Sequence, residues 1–214
     1  MKLSLLIVLI ALTICFNCSE SPKERYIFFL HNRFLEEHSI NESHPEYGRT
    51  EYNEILSAFK KASFTVISEQ RQSNVNARDY AEGIVAQIND LIKKGIHPKH
   101  ITIIGTSKGG YIAQYVSTIA QNPDLNFVFI ASFRTQDLET IPDINYCGNI
   151  LNIYEETDPF GVSAIGRKET STCAIRHYKD LQLHTGLRHG FLFKALDAWI
   201  QPSINWANGH YQNP

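Results

Sequence analysis

Ser107 is the residue in this sequence best suited to covalent chemistry. It lies in Gly105-Thr106-Ser107-Lys108-Gly109, followed by Gly110, which reads G-x-S-x-G. The run before it, Ile101 to Gly105, is apolar and β-branched, and the run after it has helical character. A serine on so sharp a strand-to-helix turn is held in a strained backbone conformation that pushes its hydroxyl into the open. Glycines on both flanks remove side chains that would collide in the turn. The N-terminus of the following helix then faces an oxyanion forming at the serine. Two other glycine-rich loops are excluded by spacing. A phosphate loop needs G-x-x-x-x-G-K-[ST] and a dinucleotide loop needs G-x-G-x-x-G.

A serine hydroxyl is a poor nucleophile without a base. The motif therefore predicts an acid and then a histidine further along the chain. Glu155-Glu156-Thr157-Asp158-Pro159 follows an apolar run, and Asp158 is the favoured acid. Its short side chain on a proline-braced loop is well fixed for orienting an imidazole; Glu155 and Glu156 compete with it. The favoured base is His189, in Thr185-Gly186-Leu187-Arg188-His189-Gly190-Phe191. His177 and His184 are alternatives. Arg188-His189-Gly190 also spells the RHG of histidine phosphatases, but there the triplet ends the first strand, so that reading is rejected.

An oxyanion hole needs two backbone N–H groups. Lys108, just after the nucleophile, supplies one. The other is expected from His31-Asn32-Arg33, with Asn32 favoured over Arg33. Polar residues gather by position at the same edge: Arg33, Glu36, Glu37, His38, Tyr47, Glu69 and Arg71. Arg33 and Arg71 are candidate substrate contacts, Arg71 for a carboxylate. The competing reading of Arg71 is a structural pair with Glu36 or Glu69.

The elements that must position these residues follow from periodicity. Short apolar runs at 25–31, 64–68, 101–105, 126–132 and 149–154 read as buried strands, and 179–184 as a weaker sixth. Helices are expected at 51–62, from Asn76 to Lys94 with Gly95 ending it, at 108–120, and from about Phe191 to Ile200, where Pro202 breaks the last one. Residues 32–50 read as a polar loop, and Trp206 falls in a short tail. Alternating strands and helices imply a mainly parallel sheet covered on both faces, with ligands at the C-terminal edge of the strands. No long insertion separates the fourth and fifth strands, so no large lid is expected.

The chain has 214 residues, 43% hydrophobic and 20% charged, with a net charge of −2. That suits one domain, residues 25–214, and gives no basic excess for nucleic acid. Lys2 followed by an uncharged apolar run, Leu3 to Ile14, reads as an export signal over residues 1–18, with 19–24 a linker. Cys15-Phe16-Asn17-Cys18-Ser19 loosely resembles a lipobox, with Cys18 the lipidated residue. The expectation is an exported bacterial protein, periplasmic or held to the membrane by a lipid anchor. Cys147 and Cys173 either pair or stay as buried thiols. Neither has a histidine at metal-ligand spacing, so no metal is expected.

The chain resembles a widespread bacterial group of small α/β-hydrolases, mostly of undefined substrate. The resemblance rests on LHNRFLEE, PEYGRTEY, FTVISEQR, ITIIGTSKGGYIA, LNIYEETD and TGLRHGFLF, and spans nearly all of the chain after residue 24. It implies the α/β-hydrolase fold and a Ser-Asp-His triad on Ser107, Asp158 and His189. One departure is Gly161-Val162-Ser163-Ala164, where related sequences often carry A-G-S-C. The expected activity is hydrolysis of a small ester without metal or organic cofactor. Peptide or thioester hydrolysis, or a non-catalytic binding protein on the same scaffold, are the alternatives.

Overall fold

A computed structural model describes residues 24–212 and 214. The expected export segment, Cys18 and nearly all of the linker lie outside the described residues. Six strands form one parallel sheet: β1 (Tyr26–Leu30), β4 (Thr65–Ile67), β5 (Ile101–Thr106), β6 (Asn126–Ile130), β7 (Gly148–Glu155) and β8 (Ile175–Leu183). Their order is β4-β1-β5-β6-β7-β8, with every neighbouring pair parallel. The chain moves outward from β1 to β4, then returns to the other side of β1 with β5. The order therefore reverses between β1 and β5, and that is where ligand crevices open in such sheets.

Alternation along the strands builds two cores. Ile27, Phe29, Ile104, Val128, Ile130, Leu151 and Ile153 point to one face, where they meet helices α2 (Tyr52–Lys61) and α7 (Asp197–Ala207). Phe28, Leu30, Ile101, Ile103, Phe127, Phe129 and Ile150 point to the other, against α3 (Ala77–Lys93) and α4 (Lys108–Ala120). The strands are apolar throughout because both faces are covered. Asn76 caps α3 as expected, its side chain accepting from the N–H groups of Arg78 and Asp79, and Gly95 follows the helix at φ +94°.

Three expectations are corrected. Residues 32–50 are not a plain loop. They hold a short helix, α1 (Phe34–Glu37), and a small antiparallel hairpin of β2 (Ser43–His44) and β3 (Gly48–Arg49). The last helix does not run from 191 to 200. Residues Arg188–Phe193 form a 3-10 segment, and α7 continues through Pro202 to Ala207. An internal proline costs a helix about 3 kcal/mol, and the buried face of Trp199, Ile200, Ser203, Ile204 and Trp206 outweighs it. Trp206 belongs to that helix, is fully buried, and donates its indole N–H to the Asn149 carbonyl. The sixth strand begins at Ile175 rather than 179. It is one of the two sheet edges, and Arg176 and Lys179 on it blunt an edge that would otherwise pair with another chain.

Cys147 and Cys173 are bonded to each other, with Cα atoms 5.0 Å apart. They tie the start of β7 to the segment before β8. Two further short helices, α5 (Asp137–Thr140) and α6 (Ile165–Thr170), lie on the connections before and after β7.

Candidate active site

Ser107 is the hinge between β5 and α4, with φ +49° and ψ −118°. Few non-glycine residues adopt such a backbone, and those that do concentrate at functional sites. The glycines around it are required by close approach. A Cβ on Gly109 would lie 2.0 Å from the Leu30 carbonyl oxygen, and one on Gly105 would lie 2.2 Å from that of Gly109. The turn is thus pressed against the end of β1. The Ser107 N–H is also anchored, donating to the Ile130 carbonyl at 2.8 Å.

Three side chains from distant parts of the sequence meet here. His189 Nε2 lies 3.0 Å from Ser107 Oγ, and His189 Nδ1 lies 2.7 Å from Asp158 Oδ2. This pairing calls for one tautomer: Nδ1–H donates to Asp158, and Nε2 accepts from the serine hydroxyl. The Asp158 carboxylate is fully enclosed, and its other oxygen accepts the Phe160 N–H at 2.9 Å. The His189 ring is covered by Phe160, centroid to centroid 5.0 Å, and flanked by Tyr47 at 6.1 Å. Arg188 pairs with Glu46, which fastens the histidine segment to the β2–β3 hairpin.

The competing residues lie elsewhere. Glu155 is buried and accepts from the Thr185 N–H and hydroxyl, the Gly186 N–H and the Thr157 hydroxyl. Burial opposes its charge, but these hydrogen bonds outweigh it and hold the carboxyl below its ordinary range. Its work is to fix the loop that leads to His189. Glu156 pairs with the exposed His184 at 2.8 Å. His177 is on β8, stacked on Tyr211.

Lys108 is the first residue of α4, so its N–H has no partner within the helix. Asn32 and Arg33 line the same cleft as Ser107. Asn32 is buried; its side chain accepts the Leu35 N–H, and its carbonyl accepts Nδ1–H of His31 at 2.7 Å. His31 Nε2 in turn accepts the Arg71 N–H at 2.8 Å. Burial, with the charges of Arg71 and Lys108, outweighs the Asn32 carbonyl and pulls His31 down to about 4. His31 is therefore neutral near pH 7 and holds the Asn32 loop through both ring nitrogens.

Arg71 is not where a substrate contact is needed. Its side chain is fully enclosed, it lines neither cleft beside Ser107, and its Nε donates to Glu36 Oε1 at 2.9 Å. It also donates to the His31 carbonyl. The second Glu36 oxygen takes the Lys108 ammonium. So Arg71 and Glu36 form a buried pair beneath the His31–Asn32 loop, the structural alternative given above. Arg33 is exposed at the cleft rim and pairs with Glu37.

Two clefts open on either side of Ser107 and His189. One, about 400 Å³, is walled by Lys108, Tyr111, Ser132, Arg134, Ile141 and Phe160. The other, about 500 Å³, is walled by Phe34, His38, His44, Tyr47 and Phe193 together with Asn32, Arg33, Glu37, Glu42, Ser43 and Pro45. Most of these wall residues carried no sequence signal, because α1, the hairpin and the loop after β6 converge only in three dimensions. Among the described residues, no group of three His, Cys, Asp or Glu side chains is placed to hold a metal.

No family model and no curated protein matches the chain. Solved structures do. Arabidopsis thaliana SOBER1 is 15% identical, covers 85% of this chain and 99% of its own, with TM-score 0.52. A protein described as an arylesterase is 15% identical over 89% of this chain and 77% of its own, with TM-score 0.58. A putative hydrolase of the alpha/beta superfamily from Xanthomonas campestris is 14% identical over 89% of this chain and 100% of its own, with TM-score 0.55. With the parallel six-stranded sheet and its flanking helices, these likenesses give the chain the α/β-hydrolase fold.

Proposed function

We propose that the chain is a serine hydrolase that cleaves small esters by acyl transfer. The observation that carries the reading is the hydrogen-bonded line Ser107–His189–Asp158, with the serine at φ +49° on a partly buried turn that lines both clefts. In the first step His189 Nε2 takes the hydroxyl proton as Ser107 Oγ attacks the ester carbonyl. Asp158 keeps the imidazole in the required tautomer and stabilises its charged form. The backbone N–H groups of Lys108 and Asn32 receive the oxyanion, helped by the α4 N-terminus. The tetrahedral intermediate collapses as His189 returns the proton to the leaving oxygen. Water then attacks the acyl-serine, with His189 again taking and returning the proton.

Structural neighbours described as esterases support an ester as the substrate. Open clefts on both sides of the serine fit small, accessible acyl and alcohol groups. The test is hydrolysis of p-nitrophenyl acetate. Ser107→Ala should abolish it with the circular dichroism spectrum unchanged; full activity in that variant would sink the mechanism. A non-catalytic scaffold would leave the wild type inert as well. We also propose that residues 1–18 direct export in a bacterium and that Cys18 is lipidated. Loss of membrane fractionation in Cys18→Ser is the expected outcome.

A further inference from the structure

The larger cleft beside Ser107 is lined by five aromatic rings besides His189, with exposed Arg33, Glu37, Glu42 and Ser43 at its rim. Phe34 stacks on His38 at 4.2 Å, and His44 stacks on Tyr47 at 4.5 Å. Phe193 joins the two pairs, 5.9 Å from Phe34, 5.6 Å from His44 and 5.2 Å from Tyr47. Phe34, His38, His44 and Tyr47 are only partly buried, so ring surface remains open to the cleft. The polar groups at its rim already have partners: Arg33 pairs with Glu37, and Glu42 accepts a hydrogen bond from His38 Nδ1–H. Arg33, the fixed cation among the rim residues named, is already paired, so none of them calls for an anionic ligand. The opposite cleft has fewer rings, Tyr111 and Phe160 besides the shared His189, and sets them among Ser132, Thr140, Ile141 and the paired cations Lys108 and Arg134.

We propose that the cleft under the β2–β3 hairpin is a subsite for an uncharged aromatic ring carried by the ester, next to the scissile bond. This rests on the esterase reading above and names its substrate class. Aromatic rings favour offset or edge-on contact with other rings through their quadrupoles. A saturated ring of similar size gains burial but not that contact. The hairpin is the device that makes the subsite, because it brings His44 and Tyr47 against Phe34, Phe193 and His189. The ring belongs to either the alcohol or the acyl part, since His189 lines both clefts.

The experiment compares matched pairs of substrates. Benzyl acetate against cyclohexylmethyl acetate places the ring on the alcohol. p-Nitrophenyl phenylacetate against p-nitrophenyl cyclohexylacetate places it on the acyl group. Each kcat/KM ratio is divided by the ratio for alkaline hydrolysis, which removes intrinsic reactivity. We expect a preference of about three- to tenfold for the aromatic member in one arm. Phe34→Leu should bring that ratio towards one, whereas Tyr111→Leu, in the opposite cleft, should leave the ratio as it was. If Phe34→Leu does not fold, His38→Leu, partly exposed and stacked on Phe34, gives the same readout. Turnover of all four esters with ratios near one overturns the ring subsite and leaves the hydrolase reading intact. A preference that survives both the Phe34 and His38 changes overturns its placement in this cleft. No turnover of any ester, with no reaction of Ser107 with a fluorophosphonate, refutes the hydrolase reading itself.

Discussion

Replacing Glu36 by glutamine removes a charge and almost no volume. The carboxylate is 1% exposed and lies between Arg71 Nε and the Lys108 ammonium. Lys108 is 22% exposed and can turn to water when its partner is gone. Arg71 cannot, because its side chain is fully enclosed and its Nη1 already lacks a partner. Burial pulls the basicity of Arg71 below its ordinary value, and Glu36 is what opposes that pull. Stranding a buried charge costs roughly 3–5 kcal/mol. The glutamine oxygen still accepts a hydrogen bond, which puts the expected loss near the lower end, about 3 kcal/mol.

For a domain of this size that corresponds to a fall in Tm of about 6–12 °C. Urea unfolding should show a lower midpoint with an unchanged slope. The double variant Glu36→Gln/Arg71→Met removes both buried charges and should recover most of the loss, since an apolar replacement of a buried pair is often neutral. A Glu36→Gln shift of under about 2 °C, or a double variant as unstable as the two single changes added together, would refute this account of the network.

Other expectations follow from the same structure. A histidine in the unfolded chain titrates near 6.5, whereas folded His31 titrates at about 4. The unfolded chain therefore binds more protons between these values, so stability is full above about pH 6.5 and falls towards pH 4 by up to ~3 kcal/mol. Urea midpoints measured across that range should lose this slope in His31→Gln. Gly109→Ala puts a Cβ 2.0 Å from a backbone oxygen of β1, and soluble, folded protein should not be recovered; a normal unfolding curve would show that the turn is not pressed against β1. Reducing Cys147–Cys173, which are 26 residues apart, should destabilise the domain by about 3 kcal/mol through the freed loop. Thermal melts with and without dithiothreitol measure it.

The parts of this molecule that were legible in the sequence are those coded locally. Ser107 was found because its glycines must be there: each faces backbone that leaves no room for a Cβ. The apolar strands declared a covered sheet, and strand order along the chain pointed to Asp158 and His189. What was not legible depends on partners far apart. The β2 and β3 strands are two residues each, too short for any alternation to register. Arg71 is 35 residues from Glu36, and nothing local separates a buried pair from a substrate contact. Pro202 ended the last helix by propensity, but the packing of Trp199 and Trp206 carried it through. Of the ring-lined cleft, His38 and Tyr47 were legible as residues at that edge, whereas Phe34, His44 and Phe193 were not, because α1, the hairpin and the segment after His189 meet only in the fold.

An activated Ser107 is what the proposed chemistry depends on. The most direct measurement is to treat the native protein with a fluorophosphonate and locate the adduct by peptide mass spectrometry. One adduct per chain is expected, on Ser107, formed about 10³–10⁴ times more slowly in Asp158→Asn because the imidazole then loses its required tautomer. An adduct on another residue, or labelling that is equally fast in Asp158→Asn, would contradict it.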